Sequence, residues 1–103
     1  MVPELDKEIW LAYSTGKVLI GARKVIRLLK TGTEKPKLIV LAKNAPESIR
    51  KEIEYLAQMA GVPVIFHEGG SLSLGRAMRK PFFVSAAAIM DEGESSILEV
   101  VST

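Results

Sequence analysis

Four segments of the chain place apolar residues three and four positions apart, which is the spacing of an amphipathic helix. Proline stands near the start of the first and third segments, and glycine follows the end of the first three, as is common at helix termini. The pattern therefore predicts helices over residues 3–15, 21–31, 46–60 and 71–78.

Five short apolar runs lie between and after these segments and predict β-strands. They cover residues 17–20, 37–42, 62–66, 82–90 and 97–101. The run 37–42 shows no alternation with polar residues, which predicts a strand buried on both faces of a sheet. This succession of helices and strands predicts an α/β fold, a three-layer α/β/α sandwich around one mixed sheet of four or five strands.

The composition is typical of a soluble globular protein, with 48% hydrophobic and 25% charged residues in a chain of 103. We expect one domain, residues 1–103, because domains commonly have about 100 to 200 residues. No apolar run approaches the roughly 20 residues of a membrane-spanning helix, and the acidic first residues are unlike a secretory leader. The chain has no cysteine, which excludes disulfides and thiolate metal sites. We expect a cytoplasmic location without membrane association.

Positive charge is concentrated in the first half of the chain. Residues 17–51 contain ten Lys and Arg and two acids, whereas residues 52–103 contain three bases and seven acids. This distribution favours an electropositive face that attracts a polyanion, since phosphate contacts supply much of the affinity for nucleic acids. A solvated helical surface is the alternative interpretation.

The segment GKVLIGARK has two glycines separated by four residues, as in a nucleotide-binding P-loop. Ala22 and Arg23 stand where a P-loop has Lys and then Ser or Thr, so the groups that hold phosphate and magnesium are missing. Gly21 instead opens a helix, and the free N–H groups of a helix N-terminus favour anions. Arg23, Lys24 and Arg27 lie in the first two turns of that helix, where a phosphate would find backbone and side-chain donors. An ordinary helix start with a solvated basic face is the alternative.

Two further junctions lead from a strand into a helix. The first contains Lys43, Asn44 and Ala45, and the second contains Gly69, Gly70 and Ser71. If the preceding strands are parallel, both junctions meet the one at Gly21 at the edge of the sheet where α/β proteins bind ligands. Asn44 could hydrogen-bond a base or sugar or only cap its loop, and the glycines could form a plain turn.

No set of residues indicates catalysis or a metal site. His67 is the only histidine and has no Cys partner, so we interpret it as a loop or strand-end residue. Ser85 lacks the flanking glycines of an activated serine. Phe82 or Phe83 could present its ring to an unstacked base, although we interpret Phe83 as a core residue. We expect no enzymatic activity, no metal and no cofactor.

Four segments together span nearly the whole chain: TGKVLIGARKVIRLLKTG, KLIVLAKNAPESIRKEIEYLAQMAGVPV, EGGSLSLGRAMRKPFFV and DEGESSIL. They resemble the L30e family of archaeal and eukaryotic ribosomal proteins of the large subunit. The L30e family belongs to a superfamily of kink-turn RNA-binding proteins that includes the L7Ae family. L7Ae-like members would have Asn-Glu where this chain has Arg23 and Lys24.

The resemblance implies that three loops at one edge of the sheet grip a kinked RNA internal loop. The first loop would lie against the tandem G·A pairs, and Asn44 would hydrogen-bond a guanine or the RNA backbone. The third loop would close over an extruded nucleotide, and Phe82 would stack on a base. With Arg27 added from the charge pattern, the expected RNA-binding residues are Gly21, Ala22, Arg23, Lys24, Arg27, Lys43, Asn44, Ala45, Gly69, Gly70, Ser71 and Phe82. On charge alone, Arg76, Arg79 and Lys80 are candidate phosphate contacts.

The resemblance therefore implies a structural protein of the large ribosomal subunit that binds a kink-turn in ribosomal RNA. Its other partners would be neighbouring ribosomal proteins, and the free protein would be a monomer. A kink-turn protein of a guide-RNA particle, or a regulator that binds its own messenger, is an alternative within the RNA-binding class. A small-molecule or nucleotide-binding α/β domain would use the same edge, and a protein-interaction scaffold would show an exposed apolar patch instead.

Overall fold

The computed structural model describes the backbone of residues 3–102 and the side chains of residues 5–99. Helices and strands alternate along the whole of this part of the chain. The elements are α1 (Pro3–Thr15), β1 (Lys17–Ile20), α2 (Ala22–Thr31), β2 (Leu38–Ala42), α3 (Glu47–Ala60), β3 (Val64–His67), α4 (Gly70–Ala77), β4 (Ala86–Asp91) and α5 (Ile97–Ser102). Among these described helices, none is long and apolar enough to cross a membrane.

The four strands form one mixed sheet in the order β1-β4-β2-β3. Strand β4 is antiparallel to both β1 and β2, and β3 is parallel to β2, so β1, β2 and β3 all run in the same direction. Ile20 at the end of β1 pairs with Ala87 of β4, and Ala42 at the end of β2 pairs with His67 at the end of β3. The three strands therefore end at the same edge of the sheet, where β4 begins.

Helices cover both faces of the sheet, and the side chains of β2 alternate between the two resulting cores. Leu38, Val40 and Ala42 pack in the core formed with α1, α4 and α5. Ile39 and Leu41 pack in the core formed with α2 and α3. All five residues are fully buried, as the run without polar alternation predicts. The predicted three-layer α/β/α sandwich is confirmed.

The prediction of a fifth strand at the end of the chain is wrong, because this segment forms the helix α5. The Ser95 hydroxyl accepts a hydrogen bond from the Ile97 N–H (3.1 Å), and the Ser96 N–H donates to Glu8 Oε1 of α1 (2.6 Å). These acceptors satisfy N–H groups at the start of the helix, which would otherwise have no partner.

The predicted strand over residues 82–90 is too long, since β4 begins at residue 86. Residues 82–85 form a loop that is held on α4 instead of joining the sheet. The Val84 N–H donates to the carbonyl of Ser71, which lies in the first turn of α4 (3.0 Å). The loop therefore lies close to the start of α4 before the chain enters β4.

Candidate nucleic-acid interface

The three junctions between a strand and a helix lie at one edge of the sheet, because β1, β2 and β3 are parallel to one another. Backbone hydrogen bonds connect neighbouring segments there. The Gly21 N–H donates to the Ala86 carbonyl (3.0 Å), and the Lys43 N–H donates to the His67 carbonyl (3.1 Å). With the loop 82–85, four segments of the chain are therefore adjacent at this edge.

Helix α2 begins at this edge with N–H groups that have no partner inside the helix. Its first hydrogen bond runs from the Val25 N–H to the Gly21 carbonyl (2.9 Å). The N–H groups of Ala22, Arg23 and Lys24 precede that bond. Gly21 is the N-cap residue, with φ 121° and ψ 131°, a conformation that residues with side chains rarely adopt. No side chain caps the helix and no acid lies in its first turn, so this end is open to an external anion.

Three basic side chains of α2 have no ion-pair partner among the described residues. They are Arg23, Lys24 and Arg27, and all three are exposed. Arg27 lies one turn beyond the first two and lines, with Arg23, a groove between α2 and α3. The unpaired positive charge of this helix is therefore concentrated in its first two turns.

The second junction contributes less charge than its sequence suggests. Lys43 Nζ lies 3.0 Å from Glu68 Oε1, and this ion pair connects the second junction with the third. Ala45 is only 7% exposed and packs in the core beneath the junction. The charge of Lys43 is therefore paired within the protein, and Ala45 is part of the core.

Asn44 connects the second and third junctions through its carboxamide. Its Oδ1 accepts a hydrogen bond from the Ser71 N–H in the first turn of α4 (2.8 Å). Gly70, with φ 85°, lies directly against it, and a Cβ at that position would come within 3.1 Å of the carboxamide. Because a backbone N–H can only donate, the oxygen of the amide must face Ser71. The Nδ2 group of this exposed residue keeps its two N–H donors for a ligand.

His67 is the last residue of β3, and its buried ring lies between the third junction and α1. It is 5% exposed, its Nδ1 accepts a hydrogen bond from the Gly69 N–H (3.2 Å), and its Nε2 lies 2.6 Å from Asp6 Oδ1 on α1. Since Nδ1 is an acceptor, the ring proton is on Nε2, which donates to Asp6. Within the part of the chain that the structure describes, no three potential metal ligands lie together.

Phe82 and Phe83 both expose their rings, by 51% and 69% respectively. The interpretation of Phe83 as a core residue is therefore wrong. Val84 takes the inward position instead and is 2% exposed. Residues 82–85 form a loop and not a strand, so a period of two does not determine which of their side chains face the core. The sequence names Phe82 or Phe83 as a candidate exposed ring, and only the structure shows that both rings are exposed.

The basic residues at the end of α4 and just beyond it lie against α1. The guanidinium carbon of Arg79 is 4.0 Å from the centre of the Trp10 ring, and Lys80 Nζ is 4.7 Å from the centre of the Tyr13 ring. Arg76 and Arg79 line a groove between α1 and α4. Lys80 lines a different groove, which reaches the start of α2. Of the three, Lys80 is thus the one that shares a groove with the first junction.

The sequence and fold match known proteins over almost the whole chain. Residues 4–99 match the ribosomal protein L7Ae/L30e/S12e/Gadd45 family. The large ribosomal subunit protein eL30 of Methanothermobacter thermautotrophicus is 45% identical over 98 residues, which cover 95% of this chain and 98% of that protein. The protein of the same name from Methanopyrus kandleri is 42% identical over 98 residues, 95% of this chain and 88% of that protein.

A solved structure described as a protein with unknown function from Bacillus halodurans C has the same fold. It aligns with a TM-score of 0.79 over 95% of both chains, at 22% sequence identity. The resemblance to L30e proteins is confirmed by the sequence relatives and the fold by this structure. On the match over residues 4–99 and the identity to its relatives, the chain belongs to the ribosomal protein L7Ae/L30e/S12e/Gadd45 family.

Proposed function

We propose that this protein is a structural component of the large ribosomal subunit in the cytoplasm and binds a kink-turn of ribosomal RNA through the three loops at the sheet edge. The relatives named as large-subunit proteins support the first part. The open N-terminus of α2, with its unpaired basic side chains, is the observation that carries the second. The function is binding alone, without catalysis or cofactor, by a monomer that also contacts neighbouring ribosomal proteins.

The start of α2 is suited to a sharply bent RNA backbone. A bend brings phosphates of the same chain close together, and their mutual repulsion has to be offset. The free N–H groups before Val25 supply donors at fixed positions, and the side chains of Arg23, Lys24 and Arg27 supply positive charge around them. This part of the edge recognises the shape of the backbone, which is how proteins commonly recognise structured RNA.

The other two loops and Phe82 are suited to unpaired or sheared bases. The Nδ2 donors of Asn44 match the acceptors on the edge of a guanine. The turn at Gly69 and Gly70 adds little side-chain bulk, so an extruded nucleotide can approach the backbone there. The exposed ring of Phe82 offers a face on which a base can stack.

The proposal is tested by removing the positive charge at the start of α2. We expect the double variant Arg23→Ala, Lys24→Ala to lose at least about tenfold in affinity for a kink-turn RNA. The slope of log K against log salt should become shallower by about 1 to 2, because each lost phosphate contact contributes about 0.7 to 0.9. Electrophoretic shift or fluorescence anisotropy at several salt concentrations measures both quantities.

The matched control is Lys7→Ala, Lys35→Ala, which removes the same charge from exposed positions that lie outside the three junctions and have no ion-pair partner among the described residues. A second RNA without the tandem G·A pairs measures discrimination for the kink. Equal loss in both double variants, or equal binding of both RNAs, would reduce the protein to a generic basic domain and contradict the proposal. Co-sedimentation with large subunits tests the ribosomal part separately.

A further inference from the structure

A groove of about 550 Å³ borders the candidate interface on the side of β1. We call it the β1 groove. It is lined by all but the first residue of β1, by the start of α2 and by residues around the loop 82–85, with Tyr13 of α1. Its volume is within the range of about 300 to 1,000 Å³ that is usual for small-molecule sites. It shares Gly21, Ala22, Lys24 and Phe82 with the residues assigned above and extends beyond them along β1.

The most exposed aromatic residue of the described chain, Phe83, lines the β1 groove. The core does not need its ring, because the neighbouring Val84 fills the inward position. Covering a large exposed apolar ring with a flat ligand lowers the free energy, because it removes apolar surface from water. The exposed face of Phe83 therefore favours an aromatic ligand in the groove.

The charge of the β1 groove has one sign. Among its described lining residues the charged ones are Lys24 and Lys80, and none is acidic. Lys80 is positioned by its contact with the Tyr13 ring, which leaves its charge intact. A ligand with an anionic group beside a flat aromatic ring is complementary to this arrangement, and a nucleotide has both.

We infer that the β1 groove holds an unpaired nucleotide of the RNA bound at the sheet edge, with its base against Phe83 and its phosphate near Lys24 and Lys80. The inference rests on the proposed function, because the groove is continuous with Gly21 and Ala22 at the start of α2. An RNA strand whose backbone lies on that helix end therefore reaches the groove by continuing along the protein surface. An acidic peptide would satisfy the lysines but would not need the exposed ring.

The experiment compares three RNAs and two variants. One RNA is a kink-turn with fully paired stems, and the other two have two extra unpaired adenosines next to the kink, one RNA with the insertion in each strand. We expect Phe83→Ser to weaken binding of one extended RNA by about tenfold, the order of one lost base–aromatic stack, and to leave the paired RNA within about twofold. Tyr55→Ser, which removes another exposed aromatic ring outside the groove, should change the binding of none of the three.

A direct readout comes from 5-iodouridine in place of an inserted adenosine. Irradiation should crosslink it to Phe83 or Tyr13, as mapped by mass spectrometry. Equal weakening of the paired and extended RNAs would assign Phe83 to the kink site itself and overturn the inference. If Phe83→Ser does not weaken the binding of any extended RNA, the inference is also overturned, and a neighbouring protein becomes the expected occupant of the groove. If the wild type fails to bind the paired kink-turn RNA, the proposed function fails first and this inference falls with it.

Discussion

At the scale of single residues, Asn44 connects the fold with the proposed function, because the two ends of its amide have different roles. Its Oδ1 caps the first turn of α4 through Ser71, and its Nδ2 remains available. The sequence could select both residues from their places at strand-to-helix junctions. It could not show that they are bonded, since they lie 27 positions apart and no local pattern relates them.

The variant Asn44→Asp separates the two roles. A carboxylate oxygen still accepts the Ser71 N–H, and a negative charge near the start of α4 is favourable, so the thermal midpoint should be unchanged or slightly raised. Both N–H donors are lost, and the new charge faces the RNA. We expect kink-turn affinity to fall by about tenfold or more, measured by anisotropy beside a thermal melt.

Asn44→Ala serves as the comparison for that experiment. It removes the cap as well, so it should lower the free energy of unfolding by about 1 kcal/mol in addition to weakening RNA binding. If Asn44→Asp binds RNA as the wild type does, the side chain is only a support for α4.

At the scale of elements, the sequence predicts best where a periodic apolar face is long and its end is marked. Helices α2 and α3 extend over ten and fourteen residues, and each is followed by a glycine in the left-handed conformation, Gly32 and Gly61. Helix α5 has only six residues, too few for helical and strand spacing to be told apart. Its start carries the sequence pattern of a capping box, Ser96 followed three positions later by Glu99, although the hydroxyl that accepts the Ile97 N–H in the structure is that of Ser95.

The start of α5 depends on a contact with α1 that can be tested by Ser95→Ala. The Ser95 hydroxyl lies 2.7 Å from the Glu8 carbonyl oxygen, 2.9 Å from Glu8 Oε1 and 3.1 Å from the Ile97 nitrogen. Removing it should lower the free energy of unfolding by about 1 to 2 kcal/mol, measured by urea denaturation. Ser96→Ala should cost clearly less, because its backbone N–H still donates to Glu8. Equal losses of unfolding free energy in the two variants would contradict the assignment of the cap to the Ser95 hydroxyl and assign it to Ser96.

At the scale of the whole molecule, ion pairs determine where positive charge remains. Five of the lysines in residues 17–51 are paired with glutamates: Lys17, Lys30, Lys37, Lys43 and Lys51. The count of charges in the sequence therefore overstates the free charge of the first half. Lys51 and Glu47 are four apart on a helix and could be paired from the sequence, but Lys37 and Glu92 are 55 positions apart. Only the fold shows that unpaired charge remains at the start of α2.

The Lys37–Glu92 pair (2.8 Å) makes stability depend on pH. The hydrogen bond from Lys37 is the main cause that lowers the pKa of the Glu92 carboxyl, and the same bond raises the pKa of Lys37. The pair therefore stabilises the fold above the ordinary pKa of a glutamate. This contribution is lost as the pH falls through the lowered pKa of Glu92, and at the alkaline end as it rises through the raised pKa of Lys37.

We expect Glu92→Gln to lower the thermal midpoint slightly at neutral pH and to match the wild type at acidic pH, where Glu92 is protonated. Lys37 is exposed and Glu92 is only half-buried, so added salt should also reduce the difference. Thermal melts across the acidic range measure it. The control Glu94→Gln removes an exposed carboxylate that has no ion pair with a described residue. A difference that persists in acid would show that the pair is not its source.

The hydrogen bond between Asn44 and Ser71 and the ion pair between Lys43 and Glu68 brace the second and third loops against each other. Because these contacts hold the two loops in place before binding, the conformational entropy lost on binding is mainly that of the RNA. On the proposed function, the apparent dissociation constant equals the intrinsic one divided by the fraction of RNA already kinked. An RNA that is kinked about one tenth of the time would thus bind about tenfold more weakly than one held in the bend. Differences in affinity among such RNAs would then report how readily each RNA bends, more than any adjustment by the protein.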